Sequence, residues 1–147
     1  MRTTPIQTHD ISPVFPILIV VSGWILFNFA FSHTGWRAFS RRYPARSRPP
    51  GRIYTSPSSC FGSNSAGYNN AVLVVFTEAG VYFYAAFLFR VFHPPFLVPW
   101  ASVRRVEKKE IFFRRRYQLD IEDAAGKIRV LLPKKVEDDL FKYYKPA

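Results

Sequence analysis

The run from Ile11 to Trp36, near the N-terminus, contains no Asp, Glu, Lys or Arg. A helix needs roughly 20 apolar residues to cross a bilayer core of about 30 Å. The core helix of a soluble protein normally keeps a polar face, and this run has none. We therefore predict a tail over residues 1–13, followed by a transmembrane helix and its interface over residues 14–36. The span itself is expected at Val14–Phe31, with Trp36 at the membrane interface.

The residues that flank this helix predict that it is retained as an anchor. They also predict the orientation of the helix in the membrane. Arg2 precedes the helix and is partly offset by Asp10, and no small-x-small signal-peptide cleavage pattern follows. Arginines are frequent directly after the helix, and arginine-rich flanks stay in the cytoplasm. We predict a cell (inner) membrane protein with its N-terminus outside and its C-terminal domain cytoplasmic.

Residues 37–52 are rich in Arg, Pro and Ser, and are therefore poor in core-forming side chains. This composition predicts an extended, solvated linker that Pro49-Pro50 stiffens. Each basic residue near an anionic membrane surface contributes about 1 kcal/mol of attraction. The candidate contacts for anionic phospholipid in this linker are Arg37, Arg41, Arg42, Arg46 and Arg48. The alternative is that these arginines only set the orientation of the anchor.

Residues 53–147 have the pattern of short strands joined by turns. Polar and apolar residues alternate in YQLDIED (117–123) and KIRVLLP (127–133), which is typical of strands with one wet face. We predict about six or seven antiparallel strands and then a C-terminal helix that Pro133 opens. The loop SPSSCFGSNSAGYNN (56–70) is the segment expected to be flexible.

The apolar run from Ala79 to Trp100 raises the question of a second membrane crossing. Arg90 near its centre costs about 2.5–3.5 kcal/mol in a bilayer, and Pro94-Pro95 removes helix hydrogen bonds. We therefore predict strands of a sheet core here, including a strand over VYFYAAFLF (81–89), with the prolines at a break. The predicted core residues are Val81, Phe83, Val98, Trp100, Leu119, Ile121, Val130 and Leu140. Of these, Trp100 is expected to be the costliest to truncate.

Strands followed by one helix resemble the pleckstrin-homology-like (PH-like) superfold. GVYFYAAFLFRVFHPPFLVPWASV (80–103) is similar to a stretch of its bacterial and GRAM-type relatives, where a hairpin precedes an I-P-W-x-x-I element. With GWRAFSRRYP (35–44), the chain resembles uncharacterised bacterial single-pass membrane proteins that carry such a domain. The resemblance implies a membrane-anchored α+β, mainly β fold. A small bent antiparallel barrel with a C-terminal capping helix would follow one transmembrane helix.

No arrangement of side chains in the sequence predicts catalysis. His9, His33 and His93 lie far apart, without the short spacings of a metal site. The single Cys60 excludes an internal disulfide and a multi-cysteine zinc site. Phosphate-binding loops, dinucleotide turns and nucleophile elbows are missing from the sequence. We therefore expect a protein that is not an enzyme and binds no metal or cofactor.

The remaining signal is charge. Lys and Arg number 21 against 10 Asp and Glu, a formal net charge of +11, which favours an anionic partner. The candidate contacts in the domain are Arg104, Arg105, Arg114, Arg115 and Arg116, and Lys134 and Lys135 come close after the last predicted strand. The alternative is that these charges only protect a strand edge from aggregation.

These features lead to three hypotheses about function. The first is a membrane-tethered interaction module at the cytoplasmic face that contacts anionic lipid or an unidentified membrane or cytoplasmic protein. The second is an accessory subunit or assembly factor of a larger membrane complex. The third is a nucleic-acid binder, because Phe112, Phe113 and Tyr117 lie among basic residues, although membrane tethering disfavours it.

Overall fold

The computed structural model describes residues 12–62 and 67–145. Most of the predicted N-terminal tail, with His9, lies outside the described residues. The helices of the described part are α1 (Val14–Ser32), α2 (Trp36–Arg42) and α3 (Glu137–Tyr143). Its strands are β1 (Tyr54–Ser56), β2 (Ser58–Phe61), β3 (Gly67–Tyr68), β4 (Val72–Phe76), β5 (Gly80–Ala85), β6 (Phe96–Pro99), β7 (Val103–Ile111), β8 (Arg114–Asp123) and β9 (Gly126–Pro133).

Helix α1 begins at the residue where the predicted span begins and ends one residue later. Among the described residues it is the one helix long and apolar enough to cross a membrane, judged by length and composition. Most of its side chains are exposed, and Asn28 and Ser32, near its C-terminal end, are buried. The buried pair marks the part of α1 that contacts the rest of the protein.

Two antiparallel sheets form the body of the protein. One has the strand order β1-β4-β5-β6, and the other has the order β3-β2-β9-β8-β7. Helix α3 buries Leu140 in the same core, and Tyr54 donates a hydrogen bond from its hydroxyl to Asp139 at 2.5 Å. The architecture is therefore mixed α and β, with the C-terminal helix that the sequence predicted.

The core lies between the two sheets and takes side chains from both. Most of the predicted core residues are at most 1% exposed: Val81, Phe83, Val98, Leu119, Ile121, Val130 and Leu140. Trp100 differs, because it packs against the core while remaining partly exposed. Its indole Nε1 donates to the carbonyl oxygen of Thr77 at 2.8 Å. Trp100 therefore closes the edge of the core instead of filling its centre.

The prediction of an extended linker over 37–52 is wrong for its first residues, which belong to α2. Trp36 and Phe39 are fully buried, because their three-residue spacing places both on one face of this helix. Trp36 is therefore a core residue and not a membrane-interface residue. Arg41 and Arg42 remain exposed. The chain is extended further on, where Pro44 forms a bridge to Phe96 beside β6.

The predicted strand over VYFYAAFLF is too long. Strand β5 ends at Ala85, and Phe87–Phe92 forms a 3-10 helix, called the 87–92 helix below. Pro94 and Pro95 follow it and have no N–H for a strand ladder. Packing against α1 takes the place of strand pairing in this segment.

The loop over 56–70 was expected to be flexible, but it contains β2 and β3. Phe61 and Tyr68 from these strands are buried in the core. Gly80 also has a role that the hairpin signal did not indicate. A Cβ atom there would lie 2.0 Å from the carbonyl oxygen of Val98, so glycine permits the close approach of β5 and β6.

Candidate functional site

The structure separates the candidate arginines by their place in the fold. Because β7 and β8 are antiparallel, Arg105 lies opposite Asp120, and Ile111 lies opposite Arg114. The first pair lies near the open end of the β7–β8 hairpin, on the side of the β8–β9 turn. The second pair lies next to the turn of the β7–β8 hairpin, which is called the tip below. The candidates therefore form three groups: Arg37, Arg41, Arg42, Arg46 and Arg48 on and after α2; Arg104 and Arg105 near the β8–β9 turn; and Arg114, Arg115 and Arg116 at the tip.

The β8–β9 turn is tied to the end of α2 through Asp123. This carboxylate accepts hydrogen bonds from the hydroxyl of Tyr43, from Ser102 Oγ at 3.0 Å and from the backbone N–H of Ala125 at 2.7 Å. Burial alone would raise the pKa of Asp123, but these hydrogen bonds outweigh it and keep the pKa below its ordinary value. The β8–β9 turn is thereby held on the side of the domain where α1 and α2 enter.

The charges around Arg104 and Arg105 are satisfied within the protein. Arg105 pairs with Asp120 at 2.9 Å and with Glu107 at 3.0 Å, and Arg129 also pairs with Asp120 at 3.0 Å. Burial raises the pKa of Asp120, but its hydrogen bonds with Arg129 and Arg105 lower the pKa overall. Arg104 donates from Nε to the carbonyl oxygen of Glu122 at 3.0 Å. This group is an ion-pair network with its own acids.

The tip of the β7–β8 hairpin is the opposite case, with seven cations and one acid on one open surface. That surface is lined by Lys108, Lys109, Glu110, Phe113, Arg114, Arg115, Arg116, Pro133, Lys134 and Lys135. Lys109 lies 3.6 Å from Glu107, and the other six cations have no ion-pair partner within residues 12–62 and 67–145. We call this surface, together with Phe112, the basic tip.

Within the basic tip, the strand register places like charges side by side. Lys109 lies directly opposite Arg116, and like charges in such a pair destabilise a sheet. Glu110, opposite Arg115, is the one acid on this surface. The register therefore sets one acid against Arg115 and leaves the positive charge of this surface in large excess.

Two phenylalanines form the turn of the basic tip, with their side chains in solvent. Phe112 and Phe113 are 91% and 98% exposed, and their φ angles are +51° and +61°. A two-residue hairpin turn with positive φ at both positions normally contains Asn-Gly, because the left-handed region costs an ordinary residue about 1–2 kcal/mol. Strained backbone at two exposed aromatic residues is an outlier that motivates a hypothesis of function for this turn.

The sequence indicated the arginines of the basic tip but not its turn. Ile111, Phe112 and Phe113 are residue types that favour strands, so composition alone does not indicate a turn here. The missed signal is the position of Phe112-Phe113 between two basic strands. The tight turn has no glycine or asparagine, which predicts strain at the turn.

His93 and Tyr68 are buried titratable residues that contact each other in the core. His93 is 1% exposed, and its Nε2 lies 2.8 Å from the hydroxyl oxygen of Tyr68. Burial lowers the pKa of His93 to about 4, so the ring is neutral near pH 7. Among the described residues no group of three or more His, Cys, Asp or Glu side chains is placed to hold a metal ion.

Comparisons of the chain with protein-family models, curated proteins and solved structures found no match. The resemblance to PH-like membrane proteins therefore stays a prediction.

Proposed function

We propose that this chain is a non-enzymatic, membrane-anchored interaction module. Helix α1 crosses the cell membrane, the domain lies on the cytoplasmic side, and the basic tip binds an acidic protein partner. One observation carries this proposal. Phe112 and Phe113 are exposed and strained among seven cations that have almost no acids to balance them.

The contacts of α1 with the domain support a retained anchor over a cleaved signal sequence. Trp24 donates from its indole Nε1 to the carbonyl oxygen of Leu88 at 3.1 Å. The rings of Phe31 and Tyr68 have centroids 4.4 Å apart. Cleavage after α1 would expose this apolar surface of the domain to water. The rest of α1 is exposed and apolar, as a lipid-facing helix requires.

The positions of the two basic regions favour different partners for them. Helices α1 and α2 and the β8–β9 turn lie at one end of the domain. The basic tip lies at the other end of β8 and includes Lys134 and Lys135, which precede α3. An anchor through α1 keeps the α2 end nearest to the bilayer. The arginines on and after α2 therefore suit anionic phospholipid, and the basic tip projects towards the cytoplasm.

The chemistry of the basic tip favours a protein partner. Arginine and aromatic side chains are the residues that most often dominate protein–protein binding energy. The charge of the tip requires acidic residues in that partner, and its charge steers association. Two antiparallel sheets with a helix against the core also support a PH-like barrel, which remains part of the proposal. Such a barrel would serve as a rigid support for the tip.

Site-specific photocrosslinking tests the proposal in living cells of the native host. Phe112 is replaced by the photoreactive analogue benzoylphenylalanine, which preserves an aromatic side chain at the turn. We expect a discrete crosslinked protein. This product should be lost when Arg114, Arg115 and Arg116 are all changed to Glu, because the acidic partner is then repelled.

The matched control places the same analogue at Ile53, an exposed apolar residue before β1 and outside the basic tip. Identical products from both positions, or no product from Phe112, would contradict the proposal. Crosslinks from Phe112 to lipid would show that the tip meets a membrane. Products formed only from α1 positions such as Leu18 would favour the accessory-subunit hypothesis.

A further inference from the structure

We propose that the 87–92 helix inserts into the membrane leaflet from which α1 enters the domain. This inference rests on the proposed function, because α1 must cross the membrane. It adds a second, non-spanning membrane contact that fixes the orientation of the domain. The ligand of this surface is the boundary between acyl chains and head groups of that one leaflet.

The 87–92 helix lies alongside α1 and not beyond its end. Trp24 bonds to the carbonyl of Leu88, and the ring centroids of Trp24 and Phe89 are 5.3 Å apart. Further along, the rings of Phe29 and Phe92 meet edge to face at 5.2 Å. The two segments are therefore packed together over the last turns of α1.

The position of this contact along α1 gives its depth. Helix α1 has 19 residues and at 1.5 Å per residue is about as long as the bilayer core is thick. Trp24 lies eight residues before Ser32, the last residue of α1, which corresponds to about 12 Å of helix rise. A contact at Trp24 therefore places Leu88 inside the leaflet when α1 spans it.

Three of the four exposed side chains of the 87–92 helix are apolar, and the fourth is Arg90. Phe87, Leu88 and Val91 are 78%, 61% and 61% exposed. They continue the exposed apolar surface of α1 near Trp24 and Phe27. In water these three side chains would form an apolar patch next to an anchor, whereas the leaflet buries all of them.

Backbone hydrogen bonding also fits insertion, because a polar backbone group without a partner is costly in lipid. The carbonyl of Leu88, near the deepest point, accepts the indole N–H of Trp24. Phe89 N–H donates to the carbonyl of Ala86 at 2.8 Å, and His93 N–H donates to that of Arg90 at 3.3 Å. These hydrogen bonds give backbone groups in and around the 87–92 helix protein partners in place of water.

Arg90, the charged residue of the 87–92 helix, is exposed, but its guanidinium turns back towards the end of β5. Arg90 donates from Nε to the carbonyl of Ala85 at 3.2 Å, and its guanidinium lies 5.8 Å from the centre of the Tyr84 ring. Arg48 and Tyr82 line the same surface. Arginine and tyrosine are the residues that suit the head-group level. The 87–92 helix therefore has apolar side chains for the acyl chains and arginines beside it for the head-group level.

Spin labels on the full chain in liposomes of phosphatidylethanolamine and phosphatidylglycerol test this inference. Cys60 is changed to Ser, and single cysteines replace Leu88, Val91, Leu18 in α1, or Phe113 in the basic tip. Collisions with oxygen, which concentrates in the bilayer, are compared with collisions with a water-soluble nickel chelate. We expect the labels at positions 88 and 91 to be at least fivefold less accessible to nickel than the label at 113.

The label at position 18 separates the two proposals. If it is protected from nickel while the labels at 88 and 91 are as accessible as the one at 113, α1 is an anchor and the insertion is wrong. If position 18 is itself accessible to nickel, the membrane anchor and the insertion both fail. Leu88 and Val91 are exposed in the protein, so their substitution leaves the core intact.

Discussion

The indole N–H of Trp36 donates a hydrogen bond to the carbonyl oxygen of Pro94 at 2.8 Å, although 58 positions separate the two residues. The Trp36 ring also meets Phe96 edge to face, with centroids 5.0 Å apart. This contact joins the chain just after α1 to the turn before β6. It makes α2 part of the domain, so that α1 continues into the core without a free linker.

The first prediction concerns the relative cost of truncating two tryptophans. Trp36→Ala should lower the free energy of unfolding by about 3–5 kcal/mol, because a fully buried ring is lost from the core. Trp100→Ala should cost less, since Trp100 is partly exposed. Urea unfolding of the full chain in detergent micelles, followed by circular dichroism, measures both. An equal or greater loss for Trp100→Ala would contradict this order.

The second prediction concerns the strained turn of the basic tip. Changing Phe112 to Asn and Phe113 to Gly gives the residues that a two-residue turn with positive φ prefers. The domain should become more stable by about 1–3 kcal/mol, because the left-handed strain is removed, and its melting temperature should rise by several degrees. An unchanged or lower melting temperature would show that the turn is not strained.

The third prediction concerns the same substitution and its effect on binding. Recovery of the partner identified by crosslinking should fall at least tenfold, although every cation of the basic tip is retained. Co-purification in mild detergent measures this loss, with Ile53→Ser as the matched control for removing an exposed apolar side chain. Unchanged recovery would mean that the tip binds through charge alone.

The fourth prediction concerns pH and His93, whose pKa is lowered from 6.5 to about 4 by burial. Above pH 6.5 the ring is neutral in the folded and the unfolded protein, so it does not affect stability. Between pH 6.5 and 4 the unfolded chain takes up the proton first, and the folded state loses up to about 2–3 kcal/mol. Melting temperatures at pH 7.5 to 4.5 should fall, and His93→Gln should flatten this slope. Equal slopes in both proteins would exclude His93 as the cause.

The fifth prediction concerns the orientation of the anchor. A reporter fused after Ala147 should behave as cytoplasmic, because the arginines after α1 keep the C-terminal side of the helix in the cytoplasm. Paired alkaline phosphatase and green fluorescent protein fusions measure this in cells. An active phosphatase at that position would reverse the orientation and place the basic tip outside the cytoplasm.

Features that depend on neighbouring residues follow from the amino-acid sequence alone. The bounds of α1 follow from an uninterrupted apolar run, and the faces of β8 and β9 follow from alternation with a period of two. Leu119, Ile121 and Val130 are buried for that reason. These signals are local, so one chain is enough to reveal them.

Contacts between residues far apart in sequence are set by the packing of the folded chain. The register of β7 with β8 sets Arg105 against Asp120 but Lys109 against Arg116, so similar basic stretches become a neutralised network and an uncompensated tip. Trp36 enters the core because Pro94 accepts its indole N–H and Phe96 packs against its ring. These outcomes arise from packing between segments far apart in sequence, and a pattern read along the chain contains no information about which segments will be neighbours.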